Sequence, residues 1–169
     1  IDIEFLEAIK KLGAEAEENF KTFKVRKASQ TVMELAAAGN VYFDRKKPWQ
    51  DAKNEKTRPA METTIACCLE CLKVLSLISF PIIPSTASTV YQLLGFKEEL
   101  KNMYWKDVIE TKLKPSQKLL EPKILFTKVE DEQIEKETAK LKEMSEKAKP
   151  NAPTTDFEPL KSLIDFDDF

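Results

Sequence analysis

The sequence predicts an all-α protein, and three observations carry that prediction. Apolar residues return at three- and four-residue spacing through one segment after another, the period of a helix with one buried stripe. Gly and Pro fall near the ends of these segments, where helices start and stop. Hydrophobic residues make up 42% and charged residues 33% of 169 positions, enough for one core with part of the chain solvated.

The elements follow in order. Ile1, Phe5, Ile9 and Leu12 form a single stripe that ends near Gly13. Phe20, Phe23, Lys24, Lys27, Met33 and Ala37 lie in a second periodic segment, which Gly39-Asn40 would close as a C-terminal cap. Residues 40–60 hold Pro48, Pro59 and dense charge and read as a loop with one short helical turn. A third helix runs from about Pro59 to Ser79, with Ile65, Cys68, Leu69, Leu72, Leu75 and Ile78 on its buried side. Phe80-Pro81-Ile82-Ile83-Pro84 breaks it. Ser85 is the N-cap expected for a fourth helix, Thr86 to Leu94, stopped by Gly95. Residues 96–129 read as irregular, with apolar pieces around Trp105 and Ile124-Leu125-Phe126. Glu130 to Lys149 reads as a charged helix whose narrow apolar face carries Ile134 and Leu141. From Pro150 the Asn, Pro and Thr content reads as a linker, followed by an abrupt apolar end at residues 163–169.

Composition narrows function. The sequence holds no His, which removes His-based acid–base catalysis, Ser-His-Asp triads and almost every catalytic zinc site. Its three glycines stand alone, so no phosphate-cradling loop is present. A self-contained enzyme is not expected. The cysteines, Cys67, Cys68 and Cys71, include one C-x-x-C, but a zinc site needs four ligands and no second pair exists. Their helical apolar surroundings point to packing, and an odd count without a framework points to a reducing, cytoplasmic compartment. The first residues lack a signal peptide's charged start and apolar run, and Val74 to Ile83 is too short to span a bilayer.

The net charge of -2 hides a strong division. Residues 1–20 carry -4, residues 21–60 carry +6, residues 61–129 carry +2 and residues 130–169 carry -6. A basic segment between acidic ends fits a phosphate partner, although a solvated surface gives the same pattern. Within it, Asn40-Val41-Tyr42-Phe43-Asp44-Arg45-Lys46-Lys47-Pro48-Trp49 sets aromatics among cations. Such a mixture suits unpaired nucleic acid, because every base offers a π-face to a ring while Lys or Arg neutralises the phosphates between. Pro48 restricts the backbone before Trp49, and Arg45, Lys46 and Lys47 are the phosphate candidates, with Lys53 and Arg58 extending the track. Tyr42 and Phe43 read better as plugs at the end of the core. Trp105, in weaker basic surroundings, reads as packing.

Asn40-x-Tyr42 followed by Pro48-Trp49 resembles the anticodon-domain signature of methionyl-tRNA synthetases. The resemblance continues through Cys68-Leu69-Glu70-Cys71-Leu72 into Phe80-Pro81-Ile82-Ile83-Pro84, similar to the family's helix that ends in a Pro-rich turn. Ser85 to Gly95 resembles its next helix, and Lys123 to Glu130 the return segment that packs against the catalytic domain. Residues 163–169 resemble the opening strand of an appended oligonucleotide-fold tRNA-binding domain.

The resemblance implies a helical-bundle anticodon-binding domain of a class I synthetase over residues 1–149, a linker over 150–162 and the start of a truncated appended domain over 163–169. It implies that Trp49 stacks on a base of the CAU anticodon of tRNA(Met). The family's base-reading Asn and Arg lie on a first helix that would precede residue 1. The catalytic domain's signatures are absent, so no catalytic residue, metal ligand or cofactor is expected in this piece, while the parent ligase would use ATP and Mg. The expected partners are the anticodon stem-loop and the parent's catalytic domain, with no membrane. Two readings stand beside this one: a helical protein-interaction module working through the acidic 130–149 helix, and the anticodon domain of another class I synthetase.

Overall fold

A computed structural model describes residues 1–115 and 117–148, all helical or irregular among the described residues. The chain divides into two units, Ile1–Leu125 and Phe126–Phe169. The first contains α1 (Asp2–Lys21), α2 (Val25–Lys46), the one-turn α3 (Pro48–Asp51), α4 (Arg58–Ser79), α5 (Pro84–Leu93), a 3-10 turn at Leu100–Asn102 and α6 (Trp105–Glu110). The second contains α7 (Asp131–Ala148).

α1, α2 and α4 pack together, with α1 and α4 both antiparallel to α2. Their shared core joins Phe5, Ile9 and Ala16 of α1, Leu35 and Tyr42 of α2, and Cys67, Cys71, Val74 and Ile78 of α4. A smaller cluster of Leu77, Ala87, Tyr91, Leu100 and Val108 ties α5, the 3-10 turn and α6 to the C-terminal end of α4. The cysteines are free, with Cys67 and Cys71 buried and Cys68 half-buried. Burial pushes the Cys71 thiol up to about 12, so it stays protonated and inert. Trp105 packs edge-on against Phe20 with ring centroids 5.8 Å apart, as expected for a packing residue.

Several expected boundaries move, each for a packing reason. α1 does not stop at Gly13 but runs on to Lys21. A Cβ at Gly13 would stand 3.1 Å from Val74 Cγ1 and 3.2 Å from Ile109 Cδ1, so the glycine permits close helix approach. α2 likewise passes through Gly39-Asn40, where Gly39 makes room for Cys71 Sγ, and ends at Lys46. Residues 40–46 are therefore helix, and only the stretch after Lys47 is the expected loop with one turn. On α4 the buried face is Thr64, Cys67, Cys71, Val74 and Ile78, whereas Ile65 and Leu72 are exposed. Cys68, Leu69 and Leu75 are half-buried at the edges. α4 is apolar on more than one side, so periodicity alone left its phase open.

α5 begins at Pro84 rather than Thr86, with Ile83 at the N-cap, so Ser85 is inside the helix and caps nothing. Pro84 suits the first helical position because its missing N–H has no intrahelical partner to lose. Gly95 stops this helix at φ 86, as the sequence predicts. Residues 96–129, expected to be irregular, contain the 3-10 turn and α6. α7 matches the expected charged helix; its Ile134 and Leu141 are exposed, and Lys136–Glu132, Lys140–Glu137 and Lys147–Glu143 pairs run along it. The linker expected at 150–162 and the truncated domain at 163–169 lie outside the described residues.

Candidate nucleic-acid interface

The site is built where α2 ends and α3 begins. Lys47 takes a left-handed conformation, φ 48, and its N–H is bonded to the Phe43 carbonyl, which closes α2. Pro48 follows as the first residue of α3 and is buried, so the turn is anchored on one side. Trp49 then projects outward with 46% of its surface exposed. Phe43, 36% exposed, braces the indole with ring centroids 5.5 Å apart at 53°. Trp49 is thus supported by Phe43 on one side, with nearly half of its surface open to solvent. Asn40 is exposed one turn before Phe43 on the same side of α2.

Behind this platform the bundle is locked. Tyr42 is buried and stacks on Phe5, ring centroids 4.0 Å apart and 10° from parallel. Its hydroxyl donates to Asp2 Oδ1 at 2.9 Å. Burial pushes the Tyr42 phenol far above its ordinary range, so it stays a neutral donor. Lys46, half-buried, holds the same carboxylate at 2.9 Å. The first residues of α1 are thereby clamped to the last turn of α2.

The candidate cations divide by these contacts. Arg45 and Lys47 are exposed and make no ion pair among the described residues, as are Lys53 and Lys56 in the loop that follows. Lys46 shares its charge with Asp2, and Arg58 pairs with Glu62 at 3.6 Å. The structure therefore brings Asn40, Arg45, Lys47, Pro48 and Trp49 to one end of the bundle with Lys46 tethered beneath. Tyr42 is a core plug as expected. Phe43 is only half one, since its exposed part supports Trp49. Sequence reasoning missed Asp2 altogether, because its partner Lys46 lies 44 residues away.

The hydrogen bond from Lys46, above all, holds the Asp2 carboxyl below its usual range. A depressed carboxylate contributes stability that is full above its unfolded value and lost as pH falls through the folded one. Asp2→Asn is accordingly expected to lower Tm at pH 7, with the gap to wild type closing below about pH 4, the ordinary carboxylate range. Thermal unfolding against pH checks this; a gap that persists or widens in acid contradicts it.

Among the described residues no cluster of His, Cys, Asp or Glu could hold a metal ion, and no helix is long and apolar enough to cross a membrane. A cavity of about 490 Å³ bordered by Lys73, Tyr91, Phe96 and Met103 lies by the C-terminal half of α4, away from Trp49.

Comparison with known proteins gives the family of the chain and supports its fold. Residues 2–146 match the family described as the anticodon binding domain of methionyl tRNA ligase. The chain is 50% identical to a methionine–tRNA ligase of Protochlamydia amoebophila, covering 99% of the chain and 25% of that protein. It is 38% identical to that of Chlamydia pneumoniae over 76% of the chain and 25% of the relative. The ligase of Pyrococcus abyssi is 35% identical over 79% of the chain and 18% of its own length. Among solved structures, the free-state methionyl-tRNA synthetase of Mycobacterium tuberculosis superposes with a TM-score of 0.69 at 21% identity, over 76% of this chain and 26% of that one. That likeness supports the fold. The chain spans about a quarter of the length of the first curated relatives it matches.

Proposed function

The chain belongs to the anticodon-binding domains of methionyl-tRNA ligases, and from that premise we propose that its Trp49 end holds the CAU anticodon loop of tRNA(Met). Trp49 stacks on one unpaired base, Pro48 and Phe43 fix the indole, and Arg45 and Lys47 meet the flanking phosphates. Lys46 contributes the weakest of the three cationic contacts because Asp2 already holds its ammonium. Asn40 lies on the same side as Phe43, within the platform that a loop would cover. The observation that carries the reading is the half-open indole, braced by Phe43 at the same end of the bundle as the exposed Arg45 and Lys47.

In the parent enzyme the domain would select the tRNA that a separate catalytic domain charges with methionine, using ATP and Mg, in the cytoplasm. The exposed Ile65 and Leu72 on α4 form an apolar stripe suited to a further helix of that parent, the place for the family's first bundle helix. The family's reading Asn and Arg would come from there.

The charge part of the reading has its own test. Binding of unfractionated tRNA is measured as a function of salt for wild type and for Arg45→Ala/Lys47→Ala. Each phosphate contact on a single strand contributes a slope of about 0.7 in log K against log salt. The double variant should therefore bind more weakly with a slope shallower by about 1.4. An unchanged slope removes these cations from the site. Negligible binding by the wild type at low salt would instead favour a protein-interaction module.

A further inference from the structure

Phe23 is the most exposed large apolar side chain among the described residues, at 89%. It sits in the short turn between α1 and α2 with a left-handed backbone, φ 57. Glycine is the ordinary occupant of that conformation, and a bulky side chain there is strained. The left-handed turn is explained locally, since it closes α1 with the Lys24 N–H bonded to the Asn19 carbonyl. Packing does not explain the side chain, because the ring is almost wholly in solvent, and it is this exposure of a large aromatic that points to something the ring meets outside the molecule.

The surroundings say what that is. Lys21, Lys24, Arg26 and Lys27 flank Phe23, and no acid falls between residues 21 and 27. Lys21 is bonded to Glu17 at 2.7 Å, and Glu18 stands one turn back on α1. Lys24, Arg26 and Lys27 are exposed and make no ion pair among the described residues. An open ring among free cations is the composition of the Trp49 end repeated. Among the described residues, Phe23 and Lys47 are the non-glycine residues with positive φ, and they stand at the two ends of α2. That helix has 22 residues, so the two turns are about 33 Å apart along one rigid rod.

We propose that the α1–α2 turn is a second RNA contact, in which Phe23 stacks on an exposed base and Lys24, Arg26 and Lys27 hold neighbouring phosphates. The RNA is the same molecule whose anticodon loop meets Trp49, so the inference rests on that reading. At this distance the contact falls beyond the short stem of an anticodon hairpin, on the body of the tRNA. Its effect is therefore confined to RNAs long enough to reach both ends of α2.

The test uses two probes, a full-length CAU-bearing tRNA transcript and its isolated anticodon hairpin, against four proteins: wild type, Trp49→Ala, Phe23→Gly and Lys24→Ala/Arg26→Ala/Lys27→Ala. The triple variant should lose affinity for the transcript, with a salt slope shallower by about 2, and keep wild-type affinity for the hairpin. Phe23→Gly should weaken transcript binding at least about fivefold while holding or raising Tm, since glycine relieves the backbone. A ring with a merely structural role would lower Tm instead. Equal losses on both probes, or full transcript affinity in Phe23→Gly and the triple variant, overturns the second contact. If Trp49→Ala weakens both probes in that case, the anticodon reading stands and only this inference falls. If wild type binds neither probe, both fall, and an acidic protein partner becomes the better fit for the turn.

Discussion

Lys73→Met is expected to destabilise the protein by about 3 kcal/mol, lowering Tm by about 10 °C. Lys73 is 1% exposed in the C-terminal half of α4, a charged side chain among the fully buried ones. Its ammonium is held at 2.6 Å by Glu70 Oε2 and donates to the Thr111 carbonyl at the end of α6. Glu70 Oε1 in turn accepts the Leu113 N–H at 2.6 Å. Two side chains one turn apart thus fasten the chain where it leaves α6. Removing the lysine strands a poorly hydrated carboxylate and a carbonyl, a larger loss than the pair itself is worth. Replacing both partners, Lys73→Met/Glu70→Gln, should recover much of the stability. Thermal unfolding of the two variants decides it: a Tm unchanged in the single variant means that the pair carries no weight.

Trp49→Ala is expected to weaken binding of a CAU anticodon hairpin by roughly fivefold to 150-fold, the equivalent of about 1–3 kcal/mol of lost base stacking. The same substitution should leave Tm nearly unchanged, because the indole is half exposed and the buried residue of this turn is Pro48. Trp49→Phe should keep part of the affinity, since a smaller ring still offers a face. Equilibrium titration at low salt reads both. Full affinity in Trp49→Ala would place recognition elsewhere on the chain.

Helix existence was legible because apolar spacing and Pro positions are local signals. What the spacing could not supply was the partner of each face. Gly13 and Gly39 read as stops, since a helix end and a close helix crossing both call for glycine; only Val74, Ile109 and Cys71 across the gap tell them apart. Ile65 and Leu72 read as core because α4 is apolar nearly all round, and its buried side is set by where α1 and α2 lie. Lys73 has no signature in a sequence, where a lysine on a helix reads as surface. At the site, Pro48 and Trp49 were legible from composition and order. The bracing by Phe43 needed the left-handed turn at Lys47, and the Asp2–Lys46 tether needed the start of α1 and the end of α2 brought together by folding.

Stacking by Trp49 is the central claim, and its emission reads it directly. The chain has two tryptophans, so Trp105→Phe leaves Trp49 as the lone indole emitter. A CAU anticodon hairpin and a closed duplex of the same stem are titrated against this variant at low salt, with binding followed independently by anisotropy of a labelled RNA. The account predicts saturable quenching of Trp49 by the hairpin, at the affinity that anisotropy reports, and no comparable quenching by the duplex. Hairpin binding with Trp49 emission unchanged, or equal quenching by hairpin and duplex, would contradict it.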